Sequence, residues 1–449
     1  MPPAWRSSLQ RELALPQAPD FDPMSASACR FRSTAVEGRA RMPHHRPRTF
    51  RALGALAALA AFGGCGGDSP GLLGTADRHP RPEHVVSEAE RVLSPGPQDT
   101  LAGSRSLLRW AHALSTSPGR WSFGDPGATA SDQILQRIAD VALSEDGRVF
   151  VLDSRAAQVL ELSATGEVLD RVGSPGEGPG EFLSPTAVAF ARDGALVVGD
   201  GGRRIQAFQK RTGEYELVGY RALGFPFEGL CFEGDRLVTQ SRSQAELEGV
   251  RVLEGHVDSE EGVPSYDSFG VFYDHSDPVL QLYYQRQVVA CLGGRSVALG
   301  SRYLQTVRTY ALDGTPALEI QFEGFGRQHF RLHQPGSVSV LAAASHRDPP
   351  FVLRALTAID ASPVLVVQLA PIGGDPGGEV AREGRDLATF LIDLAAEEPH
   401  FVGHLPEAVV AAVDHGTAVE FVTIRSVPFP RVTKHRVTGS ELPPAWEDR

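Results

Sequence analysis

From Ile138 onward the chain alternates short apolar runs with turn residues, a pattern of strands. The stretch IADVALSEDGRVFVLDSRAAQVLELSATGEVLDRVG holds an apolar strand ending at Leu143, a turn at Asp146-Gly147, an alternating strand from Val149 and two further strands around ATG. Asp-Gly between apolar strands is a strong hairpin signal. The next stretch, TAVAFARDGALVVGDGGRRIQAFQKRTGEYELV, repeats the layout with Asp193-Gly194 as its turn. Weaker copies follow in GLCFEGDRLVTQSR, VVACLGGRSVALGSR, LTAIDASPVLVVQL and VVAAVDHGTAVEFVTIR. Aligning the turns brings Leu143, Phe190, Cys231, Cys291, Ala358 and Val413 into register, at offsets of 47, 41, 60, 67 and 55. Repeats of this length with four strands each predict propeller blades. The expectation is an all-β fold, a six-bladed β-propeller of four-stranded blades over residues 120–440.

A lone four-stranded sheet cannot bury both faces, whereas blades packed around an axis can. Such rings usually close by borrowing a strand from the other terminus. Arg120 to Gly124, RWSFG, precedes the first full unit and is placed to complete the last blade around Val432 to Val437. Between units one and two the chain reads GSPGEGPGEFLSPTAVAF. Gly173, Gly178, Pro179, Gly180, Glu181, Phe182 and Pro185 give this segment its resemblance to the inter-blade segment of NHL-type repeats and of six-bladed bacterial lipoprotein propellers related to them. The match covers two blades, residues 138–225, and implies the propeller fold already read from the repeats.

The N-terminal third reads differently. From Met42 the chain runs MPHHRPRTFRALGALAALAAFGGCGGDSP, with Arg46, Arg48 and Arg51, an apolar run from Ala52 to Phe62, then small residues. That is the layout of a secretory signal, and the run is shorter than the roughly 20 residues a spanning helix needs. Phe62-Gly63-Gly64-Cys65 resembles the bacterial lipobox, with Phe62 in place of the usual Leu. The resemblance implies a signal peptide at 42–64 and lipidation of Cys65; Gly66, by likeness to enterobacterial sorting, points towards the outer membrane. Residues 1–41 are read as an upstream extension from a wrong start codon, or as disordered. Residues 65–119 form a Pro/Gly-rich flexible tether, with an amphipathic helix possible at Leu101 to Leu114, and 441–449 form a tail.

Composition narrows the function classes. Hydrophobic residues at 42% allow a sizeable core, and the net charge is −12. Residues 1–65 hold nine Arg against four acidic residues, a balance of +5, which leaves −17 on the remainder. Such a body repels phosphate backbones, so no nucleic-acid partner is expected. The four cysteines, Cys29, Cys65, Cys231 and Cys291, form no CxxC pair and indicate neither a zinc site nor a dithiol motif. Cys231 and Cys291 sit at equivalent positions of adjacent blades, expected beyond the ~7 Å Cα reach of a disulfide, and are read as two buried thiols.

No nucleophile elbow, P-loop or Rossmann glycine pattern stands out, and GGRRIQ and GEGPG fall at turns. His329 and His333, with His256, His275, His400, His404 and His415, fall at unequal phases of their blades. A central metal site needs equivalent inner-strand positions, so these are read as scattered surface residues. No cofactor and no metal are expected. Arginine is more regular: near the end of the second strand stand Arg155, Arg203, Arg242, Arg302 and Arg425, in five of six blades. They are either turn anchors or a cationic rim on one face, suited to carboxylate or sulfate.

Three function classes remain open. The first is an exported, lipid-anchored binding module for a protein partner or an anionic glycan or peptide. The second is a propeller lyase or hydrolase acting on carbohydrate or peptide substrates. The third is a structural component of an envelope complex. Binding is the preferred reading, because no acid, base, nucleophile or metal cluster emerges. The chain is expected to be a monomer that meets the membrane only through its lipid.

Overall fold

The computed structural model describes residues 85–441 except 86, 101–102, 125–133, 202, 224, 242–249, 254–265, 275–277, 285, 328, 335–336, 342–349, 373–385 and 427–428. The extension 1–41, the signal segment 42–64, Cys65 and Arg242 all lie outside these residues. So do the tether to residue 84, Cys29, His256 and His275.

The fold is a six-bladed β-propeller. Blade 1 is Ile138–Leu143, Val149–Asp153, Gln158–Leu162 and Val168–Val172. Blade 2 is Pro185–Phe190, Leu196–Asp200, Arg204–Arg211 and Glu214–Ala222. Blade 3 is Phe227–Glu233, Arg236–Ser241, Val250–Leu253 and Tyr266–Phe269. Blade 4 is Gln287–Gly293, Ser296–Ser301, Thr306–Ala311 and Pro316–Gln321. Blade 5 is Pro350–Asp360, Val364–Pro371, Leu387–Asp393 and Glu398–Leu405. Blade 6 is Ala408–Asp414, Ala418–Arg425 and Arg431–Thr438, completed by Trp121–Phe123.

In each blade the first strand is innermost. It lies against the inner strands of the blades before and after it, and the sixth lies against the first. All six residues aligned by their turns fall on these inner strands. The two long offsets have separate causes. Blade 3 is followed by the helix Pro278–Tyr284, and blade 4 by the hairpin His329–Gln334 with Ser337–Leu341.

Burial follows from this stacking. A second strand has a blade on either side, so Val149–Asp153 and Leu196–Asp200 are buried throughout and show no polar alternation. Where inner and second strands press closest, only glycine fits. A Cβ on Gly199 would come within 2.6 Å of Phe227, and one on Gly300 within 2.1 Å of Leu353, each on the inner strand of the next blade.

The ring closes as the RWSFG segment suggests. Trp121, Ser122 and Phe123 pair antiparallel with Lys434, Thr433 and Val432. The Trp121 indole then donates to Ala164 O of blade 1 at 2.8 Å, and Lys434 Nζ reaches Gly147 O at 2.5 Å. Blades 6 and 1 are thus tied from both sides of the seam.

The segment 65–119 is expected to be a tether, yet its described residues 87–100 and 103–119 are built into the ring. Val92–Leu93 adds parallel to the outer strand of blade 4. The helix sits at Arg105–Thr116, four residues later than expected at its start, because Ser104 caps it: Ser104 Oγ accepts from Leu107 N and donates to Asp393. Its buried stripe of Leu107, Trp110, Ala111, Ala113 and Leu114 packs on Ile359, Val364, Leu391, Val419 and Phe421 of blades 5 and 6. Residues recurring every three or four positions put one apolar face on the blades.

Candidate functional site

The six inner strands enclose an axial cavity of about 630 Å³. Its wall is mostly small and apolar, from Val141, Val188, Ala290, Ala355 and Ala411 among others. Blades 3 to 5 supply most of its polar groups: Glu228, Glu233 and Gln240 of blade 3, Gln287 and Arg302 of blade 4, and Arg354, Thr357 and Asp360 of blade 5. Asp140 of blade 1 and Thr186 of blade 2 stand across the axis.

Local structure explains why these side chains converge. The second strand ends at the face where the next inner strand begins, so Gln240 and Arg302, at the ends of second strands, meet Gln287 at the start of an inner one. Arg302 is fixed by its backbone: its N–H donates to Arg286 O at 2.8 Å, and its carbonyl accepts from Leu353 N at 2.8 Å. Its guanidinium is half-buried, and Nε lies in the interior with no hydrogen-bond partner. Arg354, exposed, sits at the bulge in the blade 5 inner strand between Leu353 and Ala355 and lines the cavity.

Asp140 is the titratable group on the opposite wall. Its carboxylate accepts from Val141 N and, across the blade boundary, from Val188 N, both at 2.9 Å. Burial pushes its pKa up to about 6, and the two N–H groups offset part of that rise.

The expectation that Cys231 and Cys291 are separate thiols is wrong: they form a disulfide, with their Cα atoms 5.9 Å apart. Inner strands converge towards the axis, so equivalent residues of neighbouring blades come closest there and fall inside bridging reach. Both cysteines line the cavity, so the bridge is part of its wall.

The arginines expected at the blade corners divide in three. Arg302 reaches the cavity. Arg425 ends the second strand of blade 6, half-buried and with Nε unpartnered, but is not among the lining residues. Arg155 and Arg203 stand exposed on the turns of blades 1 and 2. Turn anchoring is done by the next residue, Arg204, which ion-pairs with Asp200 and donates to Glu177 O and Glu181 O.

The real corner device was missed in the sequence. Asp153, buried, accepts from Gln136 N, Arg137 N, Arg155 N and Ala156 N, joining the incoming linker to the outgoing turn. Asp200 does the same for Leu183 N and Ser184 N. An Asp closing a run of apolar residues, VFVLD and LVVGD, was the available signal.

None of the described histidines lines the cavity. His400 and His404 lie on the outer strand of blade 5, and His400 is buried rather than on the surface. His415 is in the turn of blade 6, and His329 and His333 are in the hairpin between blades 4 and 5. Among the described residues no group of His, Cys, Asp and Glu could hold a metal ion.

Comparison with known proteins agrees with this architecture. Residues 127–217, the first two blades, match the DUF5128 family, described as a 6-bladed beta-propeller. No curated protein matches the chain. Similar solved structures include a Bacteroides fragilis protein described as exported, at 11% identity and a TM-score of 0.48, covering 78% of this chain and 99% of that one. A DUF4221 family member from Bacteroides vulgatus is 7% identical, with a TM-score of 0.45 and coverage of 72% and 98%. A virginiamycin B lyase from Staphylococcus aureus is 10% identical, with a TM-score of 0.37 and coverage of 67% and 94%. Likeness at this level leaves function to the residues of the chain itself.

Proposed function

We propose that this chain is an exported cell-envelope lipoprotein, anchored through Cys65 and related to NHL-type propellers, whose axial cavity binds an anionic ligand. The observation that carries the reading is Arg302, a half-buried guanidinium on the cavity wall whose Nε has no acceptor. Leaving a buried donor of a charged group unmade costs about 1–3 kcal/mol, and a carboxylate or sulfate in the cavity would supply the missing acceptor in a planar fork. Gln240, which also lines the cavity, offers an amide for the ligand's hydroxyls. An acidic sugar has this combination of groups. The rest of the lining sets the carboxyl groups of Asp140, Glu228, Glu233 and Asp360 among small apolar side chains and includes no histidine and no free thiol; lacking a nucleophile or an imidazole base there, we favour binding over catalysis.

Export has support independent of the N-terminal pattern. A structural disulfide persists in oxidising compartments and is rare in the cytosol, and Cys231–Cys291 staples two blades.

Titrating the full chain with an oligogalacturonate and with a neutral oligosaccharide of equal length tests the cavity reading. The acidic oligomer should bind and the neutral one should not, and Arg302→Gln should abolish binding while leaving the melting temperature unchanged. Binding of the acidic oligomer by the variant at wild-type strength, or a melting-temperature loss with binding intact, would remove Arg302 as the anchor. Metabolic labelling with a fatty-acid analogue tests the anchor: label should appear in the wild type and vanish in Cys65→Ser.

A further inference from the structure

Six large hydrophobic side chains are exposed among the described residues, and four of them lie on one face of three consecutive blades. Phe429, 50% exposed, is in the loop after the second strand of blade 6; Ile134, 62% exposed, is in the linker entering blade 1. Leu183, 61% exposed, is in the linker entering blade 2, and Tyr220, 50% exposed, is near the end of that blade's outer strand. Linkers and second-to-third-strand turns all emerge on this face, so the topology itself gathers these positions.

The same face carries three exposed arginines on the same blades: Arg137, Arg155 and Arg203. Among the described residues no hydrogen bond or ion pair engages the side chains of these three. Their backbones, by contrast, are held firmly. Asp153 binds the N–H groups of both Arg137 and Arg155, placing two guanidinium groups at one corner. Asp200 binds Leu183 N, and its own carbonyl accepts from Arg203 N at 3.3 Å, which repeats the arrangement with an apolar side chain beside an arginine. Across the seam a Cβ on Gly124 would be 2.4 Å from Pro430 O and 3.0 Å from Leu135, so the segments bearing Phe429 and Ile134 adjoin.

Exposed apolar residues interspersed with arginine on a preorganised backbone match the composition of protein interfaces, in which aromatic residues and Arg are enriched and Lys is depleted. Charge selects the partner. The exposed Glu177, in the linker that bears Leu183, offsets one of the three arginines and leaves the described patch cationic, so on a chain of net −12 it attracts acidic groups locally while the body repels extended anionic surfaces. That combination disfavours an anionic bilayer and favours a short acidic segment that touches this face alone. We infer that the face of blades 6, 1 and 2 formed by Ile134, Leu183, Tyr220, Phe429, Arg137, Arg155 and Arg203 docks a segment of a partner protein in which acidic and apolar residues alternate. This surface is distinct from the cavity at Arg302 and does not depend on a ligand there.

The test uses the full chain and a fluorescent 16-residue peptide alternating Glu with Leu and Phe. Two further probes are a peptide of equal charge built from Glu and Ser, and vesicles of phosphatidylglycerol with phosphatidylcholine. The Glu/Leu/Phe peptide should bind. Arg137→Gln with Arg155→Gln and Arg203→Gln should weaken it at least about tenfold, as should Ile134→Ser with Leu183→Ser and Phe429→Ser. All six positions are exposed, so melting temperatures should not move; should the apolar triple fail to fold, the arginine triple decides alone. Arg302→Gln should bind the peptide as the wild type does, which separates this surface from the cavity. Equal binding of the Glu/Ser peptide, binding of vesicles with none of the peptide, or wild-type affinity in either triple would each overturn the proposal.

Discussion

Blades 1 and 2 hold together by a repeated hydrogen-bonded corner, whereas blades 3 and 4 hold together by a covalent one. At the end of the second strand the first pair has Asp153 and Asp200, each binding the linker from the preceding blade. The second pair has Ser241 and Ser301 at those positions, and Ser301 Oγ donates a single bond to Tyr284 O. A hydroxyl that donates its one proton cannot gather several backbone N–H groups as a carboxylate does. In compensation, the inner strands of blades 3 and 4 are bridged by Cys231–Cys291, and Glu233 of blade 3 accepts from Gly293 N and Arg295 N of blade 4. The regular blades lack cavity arginines; Arg302 and Arg354 come from blades 4 and 5. Blades freed from the repeated corner are the ones that carry the cavity's cationic groups.

The buried ion pair of blade 4 gives the largest expected effect. Arg308 and Glu319 are wholly buried, 2.7 Å apart, and Arg308 also donates to Val271 O and lies over the Phe272 ring at 4.4 Å. Arg308→Met should cost about 3–5 kcal/mol, because Glu319 would remain a buried charge without its cation. Denaturant unfolding measures it. The exposed pair Arg192–Asp235, with side chains 74% and 62% exposed, should by contrast tolerate Arg192→Met with little change.

Removing the disulfide comes next. Cys231 and Cys291 are separated by 60 residues, and closing a loop of that length constrains the unfolded chain by about 2–4 kcal/mol. The double change to Ser should lower the melting temperature, and a reductant should bring the wild type down to the variant while leaving the variant unmoved. A reductant effect of equal size on the variant would show that the bridge contributes nothing.

The corner carboxylates rank third. Asp153→Ala strips an acceptor from four N–H groups, two of which belong to the linker, and should cost about 2 kcal/mol. Ser301→Ala removes one weak bond and should cost under about 1 kcal/mol. Equal losses would mean that the corner in blades 1 and 2 has no special role.

The same contrast explains what the sequence disclosed. Blades 1 and 2 were legible because the Asp-Gly turns and the Gly-rich linker follow the repeat closely, and all six inner strands could be aligned from their turns. The face bearing Arg155 and Arg203 was also legible, since second strands of every blade end on one side. The disulfide was not, because sequence offsets carry no information on how closely inner strands converge at an axis. Glu228, Gln240 and Arg354 were missed for a related reason: they meet only through the ring, from blades whose strand lengths differ. The docked helix was visible as an amphipathic segment, but its receptor on blades 5 and 6, built from Ile359, Val364 and Phe421 among others, comes from distant parts of the chain.

The smallest expected effect tests whether blades 1 and 2 also contribute to the cavity's electrostatics. Asp140 joins their inner strands and has a pKa raised to about 6 from 3.8, with burial as the main cause. The folded state therefore keeps its proton between about pH 4 and pH 6, while the unfolded state releases it. Stability from this group is present below that window and is lost as pH rises through the folded pKa. Other charged and titratable groups on the cavity wall, Glu228, Glu233, Asp360, Arg302 and Arg354, are common to wild type and variant. Carboxylates held low by partners, such as Glu161 with Arg148 and Lys210, act with the opposite sign and lose their contribution at lower pH. The shift would correspond to about 3 kcal/mol if the site were dry; water in the cavity reduces the expected change to about 1 kcal/mol. Melting temperature against pH, measured for wild type and Asp140→Asn, should differ in slope between pH 4.5 and 6.5 and run parallel above pH 7. The offset between the curves is a separate quantity, since the Asn side chain has one acceptor oxygen for two N–H groups. Parallel curves across the whole range would mean that Asp140 is as well solvated as a surface carboxylate, and the cavity would then be open to water along the wall of blades 1 and 2.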